Sequence, residues 1–347
     1  MVSMPGQNPA SSSAGPEPRV TLVMVAARAG VSKSTAGYVL TGQDQRMRIS
    51  EQTRHKVLRA AAEMNYRPNV MARSLRTAVT RPIAIVSDTL ATEAYGGELI
   101  EGCLSAAASH GRLTFIGETR RDPALQAALV EEFLAEQVND FVFASVSPRQ
   151  VAVPASLAHS RVVMLNCAAT DPAVPAVLPD ERQAGRTAAE HLLTRGIADR
   201  VWLLGDRAPH THAPGRDREA GLRETLRSAG KELATVMDCA WEPEAAYEVL
   251  ALALASAPRP SVVVTMNDRV ALGAYQAIAD AGLRIPDHLC VLAFEGSSLA
   301  RWLRPELTTV DRQLRTMGQR AIEQLLGAEL PRGTTLLPME LRIRQSA

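Results

Sequence analysis

From Pro82 onward the chain alternates short β-branched runs with amphipathic helical stretches, and the alternation runs through twice. The first series is PIAIVSD, a helix near 97–110, RLTFIGE, a helix near 123–137, DFVFAS and RVVMLN. After Pro179 it restarts with ERQAGRTAAEHLLTRG as helix, RVWLLG, a helix near 216–229, SVVVT, a helix near 267–281 and LCVLAF. Strands separated by helices pair in parallel, and the helices cover both faces of the sheet. Two series predict two α/β lobes with a cleft between the carboxyl ends of their sheets, where ligands of such sheets bind. No strand is followed by GxGxxG, so the dinucleotide fingerprint is absent.

The segment before this body differs in charge. Residues 1–81 carry twelve Lys+Arg against four Asp+Glu, a net +8, while residues 82–347 carry 26 against 33, a net −7. The formal total of +1 hides a basic head on an acidic body, which is the electrostatic footprint of a nucleic-acid partner. A composition 46% hydrophobic and 22% charged excludes a disordered chain. No run approaches the ~18 consecutive apolar residues of a membrane span. Residues 1–19 read as a short disordered tail without the apolar core of a signal peptide. Four widely spaced cysteines suit free thiols, and the expected location is the cytoplasm.

Within the head, Thr21 caps a helix LVMVAARA that stops at Gly30, and Ser32 caps a second, KSTAGYVL. This is the helix-turn-helix pattern. Val23, Ala26, Ala27, Val31, Ala36 and Val39 are expected at the joint, with Lys33, Ser34, Gly37 and Tyr38 facing outward. Ser50 caps a third helix, EQTRHKVLRAAAEMN, with Val57, Leu58, Ala61 and Met64 on its apolar stripe and Pro68 beyond its end.

The run TLVMVAARAGVSKSTAGYVLTG…ISEQTRHKVLRAAAEMNYRPNVMARSLRTAVTRPIAIVSD resembles the lac repressor (LacI–GalR) family of transcription regulators. The likeness continues through DERQAGRTAAEHLL, MNDRVALGAYQAIADAGLRIPDHLCVLAFEG and RPELTTVDRQLRTMGQRAIEQLL, so it spans residues 21 to about 345. It implies an all-α helix-turn-helix head at 20–67 and a hinge helix and linker at 68–81. It also implies a two-lobed periplasmic-binding-protein-like body at 82–347. The N-terminal lobe would take about 82–179 and 311–336, and the C-terminal lobe about 180–310 and 337–346.

The resemblance also implies residue roles. Lys33, Ser34 and Tyr38 would face bases in the major groove, with Thr21, Ser32 and Thr35 on backbone phosphates. Asn69 and Arg73 would belong to the hinge helix, and Leu75 would wedge between base pairs of the minor groove. Asp88, Tyr95, Arg218, Trp241, Asn267 and Glu295 would line the effector site, Glu295 replacing a more usual Asp. Asp268 reads as a helix N-cap. The expected function is a sequence-specific DNA-binding regulator, in its common form a repressor, acting as a homodimer on a palindromic operator. Its ligand would be small, polar and carbohydrate-like. The unusual Gly37–Tyr38 pair leaves a second reading, a metabolite-binding protein without operator recognition.

No enzyme chemistry emerges. His210 and His212 form an HxH without a third ligand at metal spacing, and EGSSLA lacks the spacing of a nucleophile elbow. No metal, cofactor or catalytic constellation is expected.

Overall fold

The computed structural model describes residues 20–66, 81–90, 96–205, 213–256 and 258–347. The chain divides into two compact units, Met1–Thr80 and Arg81–Ala347.

In the first unit, α1 (Leu22–Ala29), α2 (Lys33–Leu40) and α3 (Glu51–Glu63) begin at hydroxyl caps. Thr21, Ser32 and Ser50 accept from the amides of Met24, Thr35 and Thr53, each satisfying one orphan donor of a helix start. Gly30 closes α1 at φ +69°, where a Cβ would be strained. The joint is Val25, Ala26, Ala36, Val39, Val57, Ala60 and Ala61. This corrects the expected stripe: Val23 is 54% exposed, Ala27 and Leu58 also face solvent, and Gly37 is buried rather than outward. Helices of eight residues carry barely two turns, too few for periodicity to set the phase of the apolar face. Arg28 pairs with Glu63 at 3.1 Å across α1 and α3. The end of α3 is capped by Met64; Pro68 lies outside the described residues.

The second unit holds two six-stranded sheets. The N-terminal lobe contains β1 (Ile83–Ser87), β2 (Thr114–Glu118), β3 (Asp140–Ala144), β5 (Arg161–Leu165), β7 (Ala176–Pro179) and β13 (Thr334–Leu337), ordered β13-β7-β5-β3-β1-β2 and wholly parallel. A two-residue ribbon, β4 (Gln150–Val151) with β6 (Ala168–Ala169), stands beside it. The C-terminal lobe contains β8 (Val201–Leu204), β9 (Leu233–Met237), β10 (Val262–Thr265), β11 (Cys290–Glu295), β12 (Thr308–Asp311) and β14 (Glu340–Arg342). Its order is β14-β12-β11-β10-β8-β9, parallel except for the antiparallel β14 edge.

Helices cover both faces of each sheet, as the alternation predicts. In the N-terminal lobe α4 (Gly97–Ser109) and α11 (Leu314–Leu326) bury Leu99, Cys103, Met317 and Ile322 on one face, and α5 (Pro123–Ala135) buries Val130 on the other. In the C-terminal lobe α6 (Glu181–Thr194) and α7 (Ala213–Ser228) cover one face, and α8 (Pro243–Ser256) and α9 (Asp268–Asp280) the other. A single-turn α10 (Leu299–Trp302) precedes β12. The central strands read as unbroken apolar runs because both their faces are buried. Among the described residues, no helix is long and apolar enough to cross a membrane.

The chain crosses between the lobes three times: from β7 into α6, from β12 into α11, and from β13 into β14. Side chains near these crossings sense both lobes at once.

Candidate nucleic-acid interface and interlobe site

On the head, Lys33 and Ser34 are exposed on the first turn of α2, while Thr35 and Tyr38 are half-buried beside them. Thr35 shares a 2.8 Å hydroxyl contact with Ser32. The hydroxyls of Thr21 and Ser32 are used by their own helices, and this orders the N-terminal turns whose remaining amides point outward. Lys33, Arg46, Arg48, Lys56 and Arg59 are exposed, a set of cations on a small three-helix unit. Asn69, Arg73 and Leu75 lie outside the described residues.

In the body a cavity opens between the lobes. The N-terminal lobe supplies Leu90, Leu99, Val146 and Asn166; the C-terminal lobe supplies Arg269, Glu295, Gly296 and Ser297; the second crossing supplies Arg312 and Leu314. With its open mouth included, the space is about 830 Å³. The N-terminal-lobe wall mixes Leu90, Leu99 and Val146 with Asn166 and Glu98, and the opposite wall is mostly polar, a mixed lining that suits a small polar ligand. Glu295 projects from the end of β11 with φ +106°, an uncommon backbone state for a residue with a side chain. Gly296 follows at φ +76°, where a Cβ would lie 2.7 Å from that of Asp311. The chain must carry glycine there to turn against β12.

At this wall Glu295 and Arg312 are coupled electrostatically to the buried Arg218 and Glu181, which do not line the cavity. Arg312 donates to Asn166 Oδ1 at 2.7 Å and lies 3.7 Å from Glu295, so it touches both lobes, and its buried Nε has no partner. Burial raises the Glu295 carboxyl; Arg312, Arg218 and Arg269 pull it down and Glu181 pushes it up. Arg218 is bound by Glu181 through Nε at 2.5 Å and Nη2 at 3.1 Å, and its Nη1 donates to the Met266 carbonyl. The guanidinium stands 5.4 Å from the Trp241 ring centroid and 5.1 Å from that of Phe294. The expectation of a ligand-facing Arg218 and a ligand-stacking Trp241 meets a different geometry: the arginine is already paired, and the indole lies against it.

Asn267 is the N-cap of α9, its Oδ1 accepting from Val270 at 2.7 Å, and its fully buried Nδ2 has no partner. This corrects the reading of Asp268 as the cap. Asp268 is the first helical residue, and its carboxylate accepts from Ser297 N at 2.6 Å, Ser297 Oγ at 2.8 Å and Thr309 Oγ1 at 3.0 Å. Asp88 is likewise engaged, accepting from Ser145 Oγ, Val146 N and Thr89 N, with Arg121 and Arg149 within 3.6 Å. It fastens the ends of β1 and β3 and does not line the cavity. Tyr95, His210 and His212 lie outside the described residues. Asn166, Glu181, Arg269 and Arg312 were not expected from the sequence.

Burial, followed by the repulsion of Glu295, pushes the Asp268 carboxyl up to about 7. A carboxyl raised in the folded state holds its proton where the unfolded chain has released it, so its stabilising contribution is lost as pH rises from about 4 toward 7. Asp268→Asn does not titrate. The stability difference between wild type and this variant should therefore move in favour of the variant between pH 5 and pH 8, measured by chemical denaturation. Movement in favour of the wild type would contradict the assignment.

A helix-turn-helix head joined to a body of two parallel α/β lobes around a cavity defines the class of DNA-binding regulators built on a periplasmic-binding-protein-like frame. Comparison with known proteins points the same way. Bacterial regulatory proteins of the lacI family match residues 21–69, and the periplasmic binding protein-like domain matches residues 189–347. The HTH-type transcriptional repressor PurR of Mannheimia succiniciproducens is 29% identical over 94% of this chain and 98% of its own length. The sucrose operon repressor of Escherichia coli is 28% identical over 93% and 98%. The solved lac repressor dimer bound to operator and the anti-inducer ONPF superposes with a TM-score of 0.78 at 24% identity, covering 95% of this chain and 99% of that one. The chain is similar to the lacI family of bacterial regulatory proteins along nearly its whole length. It is a DNA-binding transcriptional regulator and not an enzyme.

Proposed function

We propose that this regulator binds a palindromic operator as a homodimer and that a small polar ligand, carbohydrate-like or a related metabolite, controls that binding from the interlobe cavity. The observation that carries the reading is the placement of Glu295 and Arg312. Both line the cavity, and Arg312 reaches Asn166 across it, so an oxygen-rich ligand there would change how the lobes are held. Relatives named as repressors and a solved CelR–cellobiose complex with a TM-score of 0.61 support the reading. A dimer follows from the size of the head: one short recognition helix reads few bases, and two related by a dyad read a palindrome. Ligand binding and DNA binding are then linked through the angle between lobes, and each must change the other's affinity by the same factor. Asn69, Arg73 and Leu75 are proposed to carry the link at the minor groove, and Thr21, Ser32 and Thr35 to fix the phosphates.

Lys33 is proposed to read a base, its ammonium suiting guanine O6 and N7. Lys33→Ala should cost about 1–3 kcal/mol in operator affinity and relax preference at one base pair per half-site. Fluorescence anisotropy on an operator series tests this; an unchanged preference would remove Lys33 from the readout.

A further inference from the structure

The charges of the head divide into those already paired and those left over. Residues 20–66 hold three carboxylates, Asp44, Glu51 and Glu63. Asp44 lies 3.2 Å and Glu51 3.4 Å from Arg54, and Glu63 lies 3.1 Å from Arg28. Arg28 and Arg54 therefore answer the acidic groups of the head. Among the described residues, Lys33, Arg46, Arg48, Lys56 and Arg59 have no carboxylate partner.

Two of these five cations share one loop. Residues 41–50 join α2 to α3, and Gln45, Arg46, Met47 and Arg48 are exposed in succession, while Asp44 is 8% exposed. The loop is fixed to α2: Gln43 N donates to the Tyr38 carbonyl at 2.9 Å and Thr41 Oγ1 to that of Gly37 at 2.7 Å. It is closed on itself, Met47 N donating to Gln43 O at 3.0 Å and Ile49 N to Asp44 O at 2.9 Å. Leu40 and Ile49 anchor its ends against Ala26, Ala36, Val39 and Val57. Within this frame Arg48 takes φ +52°, a left-handed state that costs a residue with a side chain free energy. A loop so held places two long cationic side chains with little further ordering on binding.

We propose that Arg46 and Arg48 are phosphate-contact residues, gripping the DNA backbone at the edge of the groove that α2 reads. The inference rests on α2 lying in the major groove. A helix of eight residues is about 12 Å long, no longer than the major groove is wide. The chain that leaves its carboxyl end therefore meets the groove's edge, where the phosphates run. Guanidinium forks suit phosphate oxygens, which they bind in two parallel bonds. Contacts of this kind fix register and orientation and carry no base preference. The loop thus supplies affinity, and Lys33 on α2 supplies selectivity.

Because phosphate contacts ignore sequence, the test uses the full chain and a mixed-sequence duplex about three helical turns long. Anisotropy is followed from about 50 to 200 mM salt, a range over which each phosphate contact accounts for roughly a 3.5-fold loss of affinity. Arg46→Ala and Arg48→Ala should each shrink the total loss by that factor for every protomer bound, and the double variant by the product. Arg28→Ala is the control: it removes one positive charge at a site already paired with Glu63, and its salt dependence should match wild type. Arg46→Gln and Arg48→Gln, which keep most of the side-chain length, should repeat the alanine results without moving the melting temperature.

Salt dependence in the loop variants equal to wild type would overturn the proposal. So would an equal reduction in Arg28→Ala. On an operator, the loop variants should leave base preference as it is; a changed preference would contradict the assignment to phosphates. A reduced salt dependence in the loop variants, with base preference unmoved by Lys33→Ala, would sink the base-reading role of Lys33 and leave the phosphate contacts standing.

Discussion

Raising salt from about 50 to 200 mM is expected to weaken operator binding on the order of 10³-fold or more. Each phosphate contact releases counterions, and the logarithm of affinity falls with the logarithm of salt by about 0.9 per contact on duplex DNA. The head presents Lys33, Arg46, Arg48, Lys56 and Arg59 to solvent, and a dimer doubles the set. The rest of the chain carries 33 acidic against 26 basic residues, so attraction to DNA is concentrated in the head. The measurement is anisotropy on one operator across a salt series. A slope near zero would show that phosphates do not dominate docking.

A second large effect is expected from Gly185→Ala, a change of one methyl group. The new Cβ would meet the Arg218 carbonyl at 2.1 Å and the Leu222 amide at 2.8 Å, and both are backbone atoms that cannot rotate away. Helices α6 and α7 must separate, which opens the packing of Ala188, Leu222 and Leu226 over β8 and β10 and pulls Arg218 from Glu181. Overpacking at side chains costs about 1–3 kcal/mol, and a backbone clash lies at or above the top of that range. For a unit of this size that is a fall in Tm of roughly 10 °C. Gly230→Ala is the control: its Cβ would meet nothing, so its cost should be only the strain of its φ of +69°. If the two variants melt alike, close helix approach does not support the Glu181–Arg218 pair.

What could be read from the sequence divides along a physical line. Strands such as IAIVS and VVVT, and helices with one apolar face, announce themselves because the signal is local and repeats along the chain. Helix α8, PEAAYEVLALALAS, and strand β9 beside it carried no such signal. The helix is apolar on most sides, and Leu252 is 74% exposed, so no single stripe marks it. Of the residues expected at strand ends, Glu295 lines the interlobe cavity, while Asn267 caps α9 and does not line it.

The site was not legible where function depends on partners far apart in sequence. Arg312 acquires its meaning from Asn166 and Glu295, and Arg218 from Glu181; nothing local shows that these charges meet, or that one is already satisfied. The exchange of cap between Asn267 and Asp268 is a one-residue shift in a helix start, which pattern alone does not resolve.

Operator recognition requires that the head read a specific DNA site. The direct measurement is selection of genomic fragments by the purified full chain at moderate salt, followed by sequencing of the retained DNA. A short palindrome with half-sites about one helical turn apart is the predicted result. Retention without sequence enrichment, or no retention, would contradict it.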